Sequence, residues 1–471
     1  MKKFFKYYFL FFEKFYPDPF IFVLILTIIT ILLGAFLTKN SIIDMIYYWG
    51  NSFWELLSFS MQMVLILVTG GALAESPLLK RIIKKISSLN LSQEFFIVFT
   101  SIFSMILAFF NWGLSLIASA LLVKEIGKSF KERNKYINYP LLCASAYTGL
   151  LVWHGGLSGS APLTCATKGH FLESKIGVIN ISKTIFSIQN ILLWFLFVSF
   201  LPLFIFLLSK IKIECEIPEL EEKEEDKKTF PFFLNILENS FIFPLIFFLI
   251  FLINIFYIIK KGEFSLNLNT LNFIFLFAGL FLHFSPYSYL KATFNSVKAS
   301  TGIIIQFPFY AGIMGMMKYS GLINVFSSFF ISFSNQKNFP FYTFISAGIV
   351  NLFIPSGGGQ WAVQGPVMIE AAKVLGVPFS KIIMAIAYGD EWTNMVQPFW
   401  ALPILGITRV KVQELVPYTL FFLIISFIFF TLILFNYLLI ISNLSYISLI
   451  FHKVIFLKYR EFLLSLKYSL L

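Results

Sequence analysis

Apolar runs of eighteen residues or more recur along this chain, at 20–37, 53–74, 185–209, 240–259 and 415–441. At about 1.5 Å of rise per helical residue, such a run reaches across the roughly 30 Å hydrocarbon core of a bilayer. Lipid offers the backbone no hydrogen bonds, so each run must close its own bonds as a helix. Shorter or interrupted candidates lie at 139–153, 271–284, 300–317 and 379–389. Hydrophobic residues fill 58% of the 471 positions and charged residues only 13%, about half the ~25% charged share of a soluble domain. The polar surface needed to face water is missing. The expected class is an all-α polytopic membrane protein.

The formal net charge of +12 does not point to nucleic acid, because the basic residues form no stripe or domain. They sit in short gaps between apolar runs, as Lys80, Arg81, Lys84 and Lys85 do, the pattern of cytoplasmic loops. Lys2, Lys3, Lys6 and Lys14 precede the run from Phe20 to Leu37. A signal peptide begins the same way, but this run is long and no small-residue cleavage site follows it, so a first transmembrane helix is expected. Cys143, Cys165 and Cys215 have no framework spacing, which favours neither disulfides nor a metal site. One hydrophilic stretch, 210–239, carries nine acids including Glu221, Glu222 and Asp226 among five lysines. It reads as a solvated linker between a first membrane unit, 1–209, and a second, 240–441, followed by a basic tail, 442–471.

Residues 95–123 are apolar, yet Asn111-Trp112-Gly113 divides them into arms of sixteen and ten residues. Neither arm comfortably spans a bilayer, and both flanks are basic. A segment with positive loops at both ends should enter and leave on the cytoplasmic side, as a re-entrant hairpin with its tip buried in protein. Residues 341–369 are similarly broken, from Asn351 to Gln360. Asn111 and Asn351 are 240 residues apart, Gln62 and Gln306 are 244, and Tyr147 and Tyr388 are 241. These near-constant offsets at polar intrusions predict two repeated halves, inverted as the favoured arrangement, each with a re-entrant hairpin and broken helices, a plan recurrent in secondary transporters.

Polar and small residues in the membrane segments fall into four clusters. They are Asn111-Trp112-Gly113, Trp153 to Pro162, Pro355 to Trp361, and Tyr388 to Trp400. Glycine and proline interrupt helices, and the freed N–H groups of a half-helix carry partial positive charge that can hold a carboxylate. Asn111, Gly113, Ser158, Gly159, Ser160, Ser356, Gly357, Gly358, Gln360, Asn394 and Gln397 are therefore the candidate substrate cradle. Close helix packing by small residues is the competing explanation. Asp390 and Glu391 are adjacent acids in an apolar stretch. A carboxylate at the bilayer centre costs about 2.5–3.5 kcal/mol, so these two, with His154, are the candidates for coupling to H+ or Na+. The alternative places the pair at the membrane surface. The four histidines show no ligand spacing. His154-Gly155-Gly156 suggests an oxyanion loop, but no nucleophile elbow accompanies it, and no charge ring suggests a channel.

At these clusters the chain resembles the bacterial short-chain fatty acid transporters of the acetoacetate and butyrate uptake type. The likeness runs from Tyr16-Pro17-Asp18-Pro19-Phe20 to about residue 440, through Gly50 to Trp54, Met61-Gln62-Met63, Val68-Thr69-Gly70, Asn111-Trp112-Gly113, Ser158-Gly159-Ser160, Gln306 to Gly312 and Pro355 to Gly359. It is strongest at Met384 to Gly389 and at Gln397 to Pro403. The resemblance implies uptake of small monocarboxylates across a cytoplasmic (inner) membrane, within a wider superfamily of anion transporters with paired re-entrant hairpins, and with the coupling candidates Asp390, Glu391 and His154 symport is expected. It departs at His154, where the family pattern carries glycine, and at Asp390-Glu391, where Glu-Gln is common. Expected partners are a small carboxylate and the lipid bilayer, a homodimer stays open, and no cofactor is expected beyond the coupling ion. Another organic anion, such as a dicarboxylate, is the first alternative and a membrane-embedded enzyme the second.

Overall fold

The computed structural model describes residues 19–213, 215–220, 231–264, 268–297 and 300–435. The N-terminal lysines, the acids from 221 to 226 and the basic tail 442–471 lie outside the described residues. Among the described residues every regular element is helical. Leaving single turns aside, the first part runs α1 (Pro19–Leu37), α2 (Ile42–Ser52), α3 (Leu57–Ala74), α4 (Pro77–Ser87), α5 (Gln93–Phe110), α6 (Trp112–Glu132), α7 (Tyr139–Tyr147), α8 (Ser160–Ala166) and α9 (Ile188–Ser209). The second runs α10 (Phe232–Asn239), α11 (Ile242–Lys260), α12 (Leu268–Leu282), α13 (Pro286–Val297), α14 (Thr301–Tyr319), α15 (Leu322–Ser332), α16 (Phe339–Phe353), α17 (Gly357–Leu375), α18 (Phe379–Thr393), α19 (Pro398–Thr408) and α20 (Val412–Leu434).

Five helical stretches among the described residues are long and apolar enough to cross a membrane: Phe20–Leu37, Gln93–Phe110, Ile188–Ser209, Phe232–Lys260 and Val412–Leu434. On α11, Ile246, Ile250, Ile253 and Phe256 are all exposed. A face of that kind belongs against lipid rather than water.

The structure corrects the length of the two arms that meet at Asn111. The apolar run suggested arms too short to span, but Gln93 and Glu94 lengthen α5 to 18 residues, and the charged stretch from Lys124 to Glu132 lengthens α6 to 21. Charged residues with good helix propensity continue a helix beyond its apolar part. The run at 53–74 is helical only from Leu57 onward, since its first four residues form the turn that separates α2 from α3.

Packing between the two parts is reciprocal. Helix α3 lies against α12 and α13, while α14 lies against α1 and α2. Helices α5 and α6 pack on each other and on α7, and α6 also receives α19 from the second part. Helices α16 and α17 pack on α18, and α17 and α18 receive α8 from the first. Contact between α16 and α18 is close because both carry glycine. A Cβ at Gly389 would lie 2.6 Å from the Ala347 methyl and 2.8 Å from the Gly348 nitrogen.

Candidate functional site

Two tips turn apolar runs into helix pairs. Asn111 is extended (φ −161°, ψ 127°), and its Oδ1 accepts the Leu114 N–H at 3.0 Å, capping α6. Ser356 has nearly the same backbone (φ −148°, ψ 110°), and its Oγ accepts the Gly359 N–H at 3.2 Å, capping α17. A short polar side chain in the extended region is what a helix N-cap requires. The counterpart of Asn111 is therefore Ser356, 245 residues on, and not Asn351. Asn351 sits in the last turn of α16, where its Nδ2 donates to the Asp390 carbonyl (2.7 Å), Thr393 Oγ1 (3.0 Å) and Asn394 Oδ1 (3.2 Å).

Two other helices are interrupted. After α7 comes one 3-10 turn, Thr148–Leu151, then an irregular stretch before α8. Helix α18 stops at Thr393 and α19 begins at Pro398. The first interruption touches both tips. Leu157 N–H donates to the Phe109 carbonyl at 2.7 Å, and Ser158 Oγ accepts the Trp112 N–H at 3.1 Å. On the other side Gly357 has no room for a side chain, because a Cβ would lie 2.5 Å from His154 Cε1. A Cβ on neighbouring Gly358 would sit 3.8 Å from that of Ser160. Ser158 and Ser160 are half-buried and Gly358 is exposed, so the site is reachable along this line.

Asp390 and Glu391 are buried in protein. They tie the second interruption to the first. Glu391 Oε2 accepts the backbone N–H groups of His154 (2.9 Å) and Gly155 (3.4 Å). Asp390 Oδ2 lies 2.6 Å from His154 Nδ1. His154 Nε2 accepts the Ala161 N–H at 3.1 Å, so the ring proton stands on Nδ1 and is donated to Asp390. This is the neutral tautomer. The imidazole also stacks on Trp153, centroids 4.5 Å apart. Among the described residues, Asp390 Oδ1 has no hydrogen-bond partner, nor do Asn351 Oδ1, Gln360 Oε1, Gln397 Oε1 and Asn394 Nδ2.

The remaining candidates have structural partners as well. Gln360 Nε2 donates to the Ala347 carbonyl (2.8 Å) and Gln364 Oε1 (2.9 Å), holding α17 to α16. Gln397 Nε2 donates to the Asn351 carbonyl at 2.5 Å. Gly159 is buried against the His154 carbonyl, and Gly113 against Ile66. All four sequence clusters thus meet. No group of three or more His, Cys, Asp or Glu suited to a metal occurs among the described residues.

Sequence reasoning missed the tryptophan cluster and the tyrosine ties. Trp112, Trp153 and Trp400 converge, with ring centroids 5.1–6.0 Å apart. Tyr147 donates to the Asn394 carbonyl at 2.8 Å. Tyr388 donates to Asn190 Oδ1 at 3.0 Å, and Asn190 Nδ2 donates to the Gly155 carbonyl at 2.7 Å. Each tyrosine thus secures an interruption. The 241-residue offset between them was the available signal.

The sequence matches the Short chain fatty acid transporter family over residues 1–439. A protein of Haemophilus influenzae, provisionally named a short-chain fatty acid transporter, is 37% identical over 431 residues, covering 86% of this chain and 93% of that one. One of Escherichia coli strain K12 with the same provisional name is 38% identical over 429 residues, covering 90% and 96%. The chain belongs to the short-chain fatty acid transporter family. As a member with several helices apolar enough to cross a bilayer, it is a multi-pass membrane protein. A solved structure, that of Neisseria gonorrhoeae MtrF, described as illuminating a class of antimetabolite efflux pumps, aligns over 90% of this transporter and 96% of that chain at 14% identity and TM-score 0.39. That likeness is too distant to carry an argument.

Proposed function

We propose that this family member is a symporter of short monocarboxylates, such as butyrate or acetoacetate, in the cytoplasmic (inner) membrane. The observation that carries the reading is the meeting of three helix N-termini, those of α6, α17 and α19, around the interruption that precedes α8. Helix N-termini present N–H groups and partial positive charge to an anion. A small carboxylate suits such a cradle because it needs no buried Lys or Arg. It is reached beside Ser158, Ser160 and Gly358, and family membership favours a monocarboxylate over a dicarboxylate.

The matched caps at Asn111 and Ser356 and the reciprocal packing support two repeated, inverted halves with a re-entrant hairpin in each. One half would move against the other around the bound anion. Asp390 is the coupling residue in this reading. Its Oδ2 is held by His154 while Oδ1 has no partner among the described residues, which leaves an oxygen for H+ or Na+.

The test is accumulation of labelled butyrate in proteoliposomes under an inward H+ or Na+ gradient. Wild type accumulates label above the equilibrium level with one of the two gradients. Asp390→Asn loses accumulation and retains exchange of butyrate for butyrate. Accumulation by the variant equal to wild type removes the coupling assignment.

A further inference from the structure

Helix α4 leaves α3 at a sharp angle: the axis turns by 73° between Ser60–Leu73 and Pro77–Ser87. Where α3 runs through the bilayer, such a turn lays α4 close to the membrane plane. Its 11 residues divide by helical spacing into three strips. Leu79, Ile83 and Ile86, at i, i+4 and i+7, are half-buried on the side packed against α6. Leu78 and Ile82, beside them, are 46% and 47% exposed. Lys80, Arg81, Lys84 and Lys85 fill the rest of the circumference and are all exposed.

The basic residues of this region fall into two groups. Some are used within the protein. Lys80 pairs with Glu75 at 3.5 Å. Arg133 donates to the Leu89 carbonyl at 3.0 Å and Lys135 to Asn90 Oδ1 at 2.7 Å, which fastens the chain after α4 to the turn after α6. Arg81, Lys84 and Lys85, by contrast, make no ion pair among the described residues. Like charges at i, i+3 and i+4 repel one another, so their gathering on one strip calls for an anion. The neighbouring Leu78 and Ile82 call for an apolar phase. An anionic phospholipid supplies both, with its phosphate outside and its acyl chains beneath, whereas a soluble anion supplies only the first.

We infer that α4 lies in the headgroup layer on the basic side of the membrane and binds anionic phospholipid through Arg81, Lys84 and Lys85, with Leu78 and Ile82 dipping to the acyl boundary. The inference rests on the chain's crossing a bilayer and is independent of what it carries. Each basic residue so placed contributes roughly fivefold to affinity for an anionic surface, and salt screens the attraction. The consequence is mechanical. Helix α4 and Arg133 hold the charged end of α6, while Asn111 caps its other end. A lipid held by α4 therefore fixes the depth of that tip in the bilayer.

The experiment follows the unfolding midpoint of the full chain in uncharged detergent micelles as phosphatidylglycerol, or phosphatidylcholine with the same acyl chains, is added. A ligand of the folded chain raises that midpoint, and the readout is the lipid concentration at half of the full shift. In wild type phosphatidylglycerol should act at a lower concentration than phosphatidylcholine. The triple variant Arg81→Gln, Lys84→Gln, Lys85→Gln should raise the phosphatidylglycerol value roughly tenfold or more and leave the phosphatidylcholine value unchanged. Salt at about 1 M, where the screening length is about 3 Å, should do the same to wild type. Lys260, Lys261 and Lys337 are exposed on other parts of the chain, and replacing all three by Gln should keep the wild-type value. Equal action of the two lipids on wild type overturns the inference. So does an unmoved phosphatidylglycerol value in the triple variant, or in Lys84→Gln, Lys85→Gln if the triple does not fold. An equal loss in the control set would show net charge alone at work, and a full shift by glycerol phosphate, which has no acyl chains, would show a site for a free anion; either result overturns it as well.

Discussion

Replacing His154 by alanine tests the link between the two interrupted helices. The imidazole is wholly buried, gives its Nδ1 proton to Asp390 at 2.6 Å and accepts the Ala161 N–H at 3.1 Å. Its removal leaves the Asp390 carboxylate with no partner on either oxygen, since Oδ1 has none already. Taking the hydrogen-bond donor away from a buried carboxylate costs about 1.5–3 kcal/mol. The stranded amide of Ala161 adds about 1–3 kcal/mol. Asp390→Asn in the same chain cancels most of the first cost, because a neutral amide carries no buried charge. The double variant should thus be more stable than His154→Ala alone, by about 2 kcal/mol, near the upper range of measured pair couplings. In the wild-type background Asp390→Asn should be neutral or destabilising, so its effect changes sign with the residue at 154. Denaturant unfolding in detergent micelles of wild type, both single variants and the double variant measures this directly. Equal destabilisation by Asp390→Asn in both backgrounds would refute the reasoning.

The two tips make matched predictions. Asn111→Ala and Ser356→Ala should each lower stability by about 1 kcal/mol, the usual value of a side-chain N-cap, and Asn111→Ser should restore it; alanine neutral at both positions would contradict the capping roles. At the crossing of α16 and α18, Gly389→Ala should cost about 1–3 kcal/mol by overpacking, read as a lowered unfolding midpoint. An unchanged midpoint would mean that the two helices separate freely.

Much of this architecture could be read from the residues, and the misses have physical causes. Apolar length located α1, α9 and α11 because lipid demands it of a span. The interruptions at Asn111 and at Ser356 were visible because caps and glycines leave local signatures. Helix ends were not visible where charged residues continue a helix, as Lys124 to Glu132 do in α6. Pairing Asn111 with Asn351 by residue type failed because the capping role depends on backbone conformation, and serine performs it as well. That Asp390 meets His154 was out of reach, since 236 residues separate them and only the folded chain brings them together. The tryptophan cluster was hidden for the same reason, with each ring contributed by a different interruption or tip. The clusters that form the candidate cradle were legible one at a time, and their meeting was not.

The most direct test of the account is exchange of labelled butyrate by the full chain in proteoliposomes at about pH 8. A carboxylic acid with a pKa of about 4–5 is almost wholly ionised there, so leakage of the neutral acid through lipid is least. The account predicts saturable exchange that acetoacetate blocks and succinate does not. Folded protein giving no exchange above empty liposomes, or exchange that succinate blocks as well as acetoacetate does, would contradict it.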